Sequence, residues 1–176
     1  MTEENLQLER PDFSQRYFEL KSEGTTKAIL KFKDKNSDDA EIIIDDNKWT
    51  MNKKGILNQI VNVENNQDNK EIAKIKFGLN KYYLDTMSDF QFFQFKNTNF
   101  WKDVWCWLDE KGNEIMEYIP NISMEKLGNI KIKNSLSSEI VPSDKFLNWI
   151  AVLGWYLLMI NRNDCWTVSA IVDSGL

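Results

Sequence analysis

Histidine is missing from this 176-residue chain, and cysteine, proline and glycine are scarce, at two, three and seven residues. Each shortage removes a class of chemistry. Without histidine there is no Ser-His-Asp or Cys-His nucleophilic mechanism and no histidine-containing zinc site. Two cysteines cannot complete a four-thiolate zinc site or a disulfide framework. Cys106 and Cys165 each lie beside tryptophan in apolar contexts, VWCWL and DCWTV, where a thiol acts as a small buried hydrophobe. A disulfide between them stays open, with a reducing compartment the simpler setting. The isolated glycines build neither a GxGxxG nor a Walker phosphate loop. Positive charge is short as well: 22 basic against 27 acidic residues leave a net charge of −5, against a nucleic-acid binder, which carries a basic face. The N-terminus, MTEENLQLERPDF, lacks the basic and apolar regions of a signal peptide. The expectation is a cytoplasmic, non-enzymatic protein without a cofactor.

What the chain does contain suits a folded domain. Apolar residues make up 42%, charged residues 28% and aromatics 12%, the last including seven Trp and ten Phe. One domain is the simplest organisation at this length. Residues 1–14 lack periodicity and contain Pro11, which predicts a flexible or loosely docked arm ahead of a single domain over 15–176.

From Arg16 onward short alternating segments follow one another, punctuated by turn residues. They are Arg16–Ser22, Lys27–Lys33, Ala40–Ile44, Lys48–Asn52, Ile56–Val63, Glu71–Phe77, Tyr82–Thr86, Phe90–Phe95, Asp103–Leu108, Glu114–Ile119 and Asn129–Lys133. Spacings of roughly 8–12 residues are those of an antiparallel sandwich or barrel. Asp109-Glu110-Lys111-Gly112 is a hairpin turn in which Gly supplies a positive φ. No segment before Pro142 shows a 3.6-residue period, so a parallel βαβ sheet is not expected.

The chain then changes character. Phe146–Ile160 (FLNWIAVLGWYLLMI) is apolar on every side apart from Asn148, the pattern of a helix buried all round. Its about 15 residues make roughly 22 Å of helix, short of the roughly 20 residues a bilayer span needs. Ser143 or Asp144 offers the N-cap, giving a central helix at about 143–162. The β-branched Thr167, Val168, Ile171 and Val172 leave its far end open between helix and strand. The predicted fold is therefore mainly β (α+β): an antiparallel barrel or closed sandwich of about 9–12 strands wrapped around one hydrophobic C-terminal helix.

Candidate sites are few. Lys27, Lys31, Lys33 and Lys35 form a basic strand face that could meet anionic lipid, although alternating Lys is also what a solvated face looks like. Asp38-Asp39 and Asp45-Asp46-Asn47 lack the spacing of a calcium loop and read as turns. In Asn97–Leu108, Trp105 and Trp107 face one way while Val104, Cys106 and Leu108 face the other, so that strand lies inside. Trp101, beside Lys102-Asp103, is the aromatic expected at a rim. With Tyr82 and Tyr83 it is a candidate for stacking a small molecule or carbohydrate at a barrel mouth.

The strand series, the Leu108–Ile115 hairpin and the closing helix together resemble the tubby-like fold of tubby C-terminal domains, phospholipid scramblases and LURP-one-related proteins. Asn99-Phe100-Trp101, Trp107-Leu108-Asp109 and Leu153–Leu158 are also similar to bacterial proteins of this kind. The resemblance spans about 16–165 and implies a barrel around a central helix, with non-enzymatic binding and, in the tubby branch, phosphoinositide or membrane association. That branch's basic headgroup site has no residue-by-residue counterpart here. Three functions follow as expectations: a binding or scaffolding protein with a protein partner, a peripheral membrane module for anionic lipid, and a small-molecule binder.

Overall fold

The computed structural model describes residues 5–12, 14–55, 59–87, 92–121, 126–133 and 143–162. Its strands are β1 (Asn5–Asp12), β2 (Tyr17–Ser22), β3 (Thr25–Phe32), β4 (Ala40–Ile44), β5 (Asn47–Lys54) and β6 (Ile60–Asn65). They continue as β7 (Lys70–Gly78), β8 (Lys81–Thr86), β9 (Phe92–Asn99), β10 (Val104–Leu108), β11 (Glu114–Pro120) and β12 (Lys126–Ile132), followed by the helix α1 (Asp144–Asn161). Each strand pairs antiparallel with its neighbour in sequence, and β12 pairs with β1 to close a twelve-stranded barrel. Closure leaves no unpaired sheet edge.

The side-chain period of two decides which way each strand faces. Phe18 and Leu20 on β2, Ala40, Ile42 and Ile44 on β4, and Tyr82 and Leu84 on β8 are buried, while the residues between them are not. The outward face is polar and laced with ion pairs, Lys21–Glu9 at 2.9 Å and Lys48–Glu41 at 2.8 Å among them. At the β10–β11 turn Gly112 has φ 83, and Asp109 Oδ1 accepts from the Lys111 and Asn113 N–H groups.

Inside the barrel runs α1, with every residue from Trp149 to Ile160 buried. Ser143 caps it, its Oγ accepting from Phe146 N–H at 3.2 Å. The helix enters at the proximal rim, where the chain turns after β2, β4, β6, β8 and β10. There Phe146 packs against Phe93, with centroids 5.7 Å apart. It ends at the distal rim, where Tyr156 donates to the Asp38 carbonyl at 2.9 Å and Arg162 pairs with Asp103. No helix among the described residues is long and apolar enough to cross a membrane.

Midway, the barrel wall grips the helix backbone. Trp107 Nε1 donates to the Ile150 carbonyl at 3.0 Å, and the Tyr118 hydroxyl lies 3.0 and 3.1 Å from the carbonyls of Ile150 and Ala151. Gly154 is the recess that admits these two side chains. A Cβ there would overlap the Tyr118 hydroxyl and sit 2.8 Å from Trp107 Nε1.

One expectation is overturned. Residues 5–12 are not a flexible arm: they form β1, with Leu6 and Leu8 fully buried. Pairing with β12 on one side and β2 on the other satisfies the strand's backbone, so two inward apolar residues suffice to hold it. Pro11, which has no N–H to give a ladder, sits where the β1–β2 register shifts between Glu9 and Asp12, the kind of place a strand tolerates it. The expectations for residues 1–4, for Cys165 and for Thr167–Val172 lie outside the described residues.

Candidate functional site

The distal rim carries an unusual display of apolar side chains. Leu79 in the β7–β8 turn is 89% exposed, and Phe100 and Trp101 in the β9–β10 turn are 82% and 94% exposed. Only β8 and β9 separate the two turns, so the three residues share one stretch of rim. Phe100 and Trp101 meet edge to face with centroids 6.2 Å apart.

The β9–β10 turn that presents them is tied down from several sides. Lys102 N–H donates to Asn99 Oδ1 at 3.1 Å. Asp103 adopts a left-handed φ of 51, its Oδ1 accepts from Trp105 Nε1 at 2.9 Å, and its carboxylate pairs with Arg162 at the end of α1. The aromatic pair is thus held out in solvent by a pre-formed turn, which lowers the ordering cost of a contact.

Around this rim the β-register gathers positive charge. Lys81 on β8 lies directly opposite Lys96 on β9, and Lys76 on β7 opposite Tyr83. With Lys102 in the turn they make four lysines, and none forms an ion pair with a carboxylate among the described residues. Lys81 Nζ instead lies 5.3 Å over the Tyr83 ring. Like charges directly opposite each other oppose folding, so this cluster works against the barrel's own stability.

The residues singled out from the sequence are dispersed. Trp101 stands at the rim as expected. Tyr82 does not: it is 5% exposed and packs inside among Phe77, Phe95 and Trp105, with centroids 5.0, 6.2 and 6.2 Å away. Tyr83, the next residue on the strand, faces outward beside Phe92. Adjacent strand residues point to opposite faces, so Tyr82, Tyr83 and Trp101 make no common stacking platform.

Lys27, Lys31, Lys33 and Lys35 are exposed, but β3 lies six places round the barrel from β9, on the opposite wall. Acidic residues dilute them: Lys31 faces Glu41, and Lys33 Nζ contacts Asp39 at 3.3 Å. The acidic pair Asp38-Asp39 is likewise engaged. Asp38 binds Lys53 Nζ at 2.6 Å, and Asp39 Oδ1 accepts the Lys53 N–H at 2.9 Å.

A third cluster lies on β10 and β11, where Cys106 Sγ and the carboxylates of Glu114 and Glu117 fall within 4.8 Å of one another. Lys133 Nζ lies 3.1 Å from Glu117 and 3.9 Å from Glu114, balancing their charge. Burial pushes the Cys106 thiol up, which keeps it protonated and a poor nucleophile or metal ligand.

Burial also pushes the Tyr82 phenol up to about 12, and those of Tyr118 and Tyr156 rise for the same reason. An unfolded tyrosine ionises near pH 10. Above that pH the unfolded chain releases protons that the folded chain keeps, so stability present below about pH 10 is lost as pH rises toward the folded value. Urea titrations at pH 8 and at about pH 11 are expected to show that loss, and Tyr82→Phe should reduce it. An equal loss in the variant would remove Tyr82 from the account.

Comparison with protein-family models, with curated proteins and with solved structures returned no match for the chain.

Proposed function

We propose that this protein is a non-enzymatic binding module that docks on an anionic membrane surface through its distal rim. The observation that carries this reading is the joint exposure of Leu79, Phe100 and Trp101 beside Lys76, Lys81, Lys96 and Lys102. Tryptophan favours the membrane–water interface, where its ring is amphipathic. Lysines near an anionic surface add on the order of 1 kcal/mol each. The pairing of an apolar tip with a basic collar also suits the chain's net charge of −5, because attraction then depends on orientation rather than on the whole molecule. The collar replaces the Lys27–Lys35 face as the basic element of this reading. A barrel around one helix is the organisation that the tubby-like resemblance implies, and membrane association in that family's tubby branch agrees with it, although fold alone does not carry function.

Co-sedimentation with phosphatidylserine-containing vesicles tests the proposal. Pelleting is expected at low salt and should fall at high salt as screening weakens the collar's contribution. Trp101→Ser is expected to lower the vesicle affinity by about tenfold, the loss of one interfacial indole, and Lys81→Glu/Lys96→Glu by as much or more. Absence of pelleting at low salt overturns the membrane reading and leaves a protein partner as the occupant of the rim. Pelleting that neither variant changes would also overturn the rim as its site.

A further inference from the structure

The proximal rim, at the other end of the barrel from Trp101, holds a cleft of about 230 Å³. Its walls are apolar: Trp49 from β5, Ile72 from β7, and Phe146 and Trp149 from the first turns of α1. Phe146 and Trp149 lie with centroids 6.1 Å apart and planes inclined by 35°, forming one side of a slot. Polar groups enter at the margin, from the Thr86 and Ser143 hydroxyls and the Lys145 ammonium. A mostly apolar concavity with a few convergent polar groups is the usual make-up of a small-molecule site.

Three features narrow the ligand. The first is charge. Among the described residues Lys145 is the one ionisable side chain lining the cleft, and its Nζ rests 5.6 Å over the Trp49 ring. It lies at the N-terminal turn of α1, where backbone N–H groups add positive potential. The second is the face that Trp149 offers. Trp149 is 6% exposed, and its Nε1–H is buried away from solvent without a hydrogen-bond partner, so what it presents to a ligand is apolar ring. The third is size. The cleft equals between roughly seven and eight water volumes at about 30 Å³ each, which admits a single ring with one substituent.

We propose that this cleft binds a small planar monoanion of the single-ring aromatic carboxylate class. The ring lies against Trp149 and Phe146, and the carboxylate faces Lys145 and the Ser143 hydroxyl. Ser143 Oγ already accepts from Phe146 N–H, so its proton is the part left to donate to the carboxylate. This site is independent of lipid docking, which uses the opposite rim.

The test uses the uniformly nitrogen-labelled full chain, with indole signals assigned by single Trp→Phe variants. Benzoate, benzamide and benzylamine serve as anionic, neutral and cationic probes of one shape. Benzoate is expected to move the Trp49 and Trp149 indole signals saturably. Trp101, at the far rim, and Trp155, whose Nε1 is likewise unpartnered but does not line the cleft, should stay in place. Benzamide should bind about tenfold more weakly, and benzylamine should give no saturable shift. Lys145→Met is expected to weaken benzoate by about tenfold while leaving benzamide unchanged. Lys145 is exposed, and the same spectrum reports whether the variant is folded; Lys145→Gln repeats the test with a polar replacement. The proposal is overturned if benzoate leaves Trp49 and Trp149 unmoved, if benzylamine binds as well as benzoate, or if both Lys145 variants bind benzoate like the unmodified chain.

Discussion

Replacing Leu157 by Asp is expected to leave no folded protein, read as loss of the soluble fraction and of any cooperative unfolding transition. Leu157 is fully buried in a helix that the barrel surrounds on every side. An aspartate there can reach no solvent and meets no cation from α1, whose residues 149–160 carry no charge. An isolated buried carboxylate protonates rather than stay charged, yet even the neutral form carries the desolvation cost of an unpaired polar group. To that is added the loss of a buried leucine, about 1.5–3 kcal/mol. Against a total stability of about 5–15 kcal/mol, the sum removes most of what holds the fold. Leu157→Ala is the graded control, expected to fold with a deficit of about 2–5 kcal/mol. A soluble, cooperatively unfolding Leu157→Asp protein would mean that the helix lies outside the barrel.

Gly154→Ala should be almost as informative, because helix propensity and packing predict opposite signs. Alanine favours an isolated helix by about 1 kcal/mol over glycine. Here its Cβ would collide with the Tyr118 hydroxyl and crowd Trp107 Nε1, the donors that clasp the carbonyls of Ile150 and Ala151. Overpacking costs about 1–3 kcal/mol, and the displaced buried hydrogen bonds add about 1 kcal/mol each. A net destabilisation of about 3 kcal/mol is therefore expected in urea unfolding. In a Tyr118→Leu background, which removes the colliding hydroxyl and ring, the same alanine should cost far less. Equal costs in the two backgrounds would break the link between Gly154 and Tyr118.

Much of the fold is legible in the sequence because it rests on periodicity. The alternation in Ala40–Ile44 and Glu71–Phe77, the positive-φ Gly112, the Ser143 cap and the apolar run of α1, interrupted only at Asn148, each follow from local chemistry. β1 escapes notice because only Leu6 and Leu8 turn inward before Arg10 and Pro11, too brief a pattern without its two partner strands. Sites are harder. Trp101 stands out because charged residues follow it, but no local signal tells that Tyr82 faces in and Tyr83 out; that depends on the parity of β8. Lys76, Lys81, Lys96 and Lys102 are scattered along the chain and meet only through the β7–β8–β9 register. The proximal cleft draws on β5, β7, β8 and α1, so it exists only after the barrel has closed.

The pairing of β1 with β12 has a consequence for how this molecule comes into being. Barrel closure joins Asn5 to Lys131, and the segment that fills the lumen follows later still. A ribosome releases the wall before the plug, so during synthesis the inward faces of twelve strands have no core to pack on. Non-local pairing of this kind places folding in the millisecond-to-second regime, and hydrophobic strands exposed for that long are prone to associate with one another. Assembly is then expected to be concerted and to await α1, the template on which the strands wrap. Chains truncated before residue 144 should collect as aggregates rather than as empty barrels.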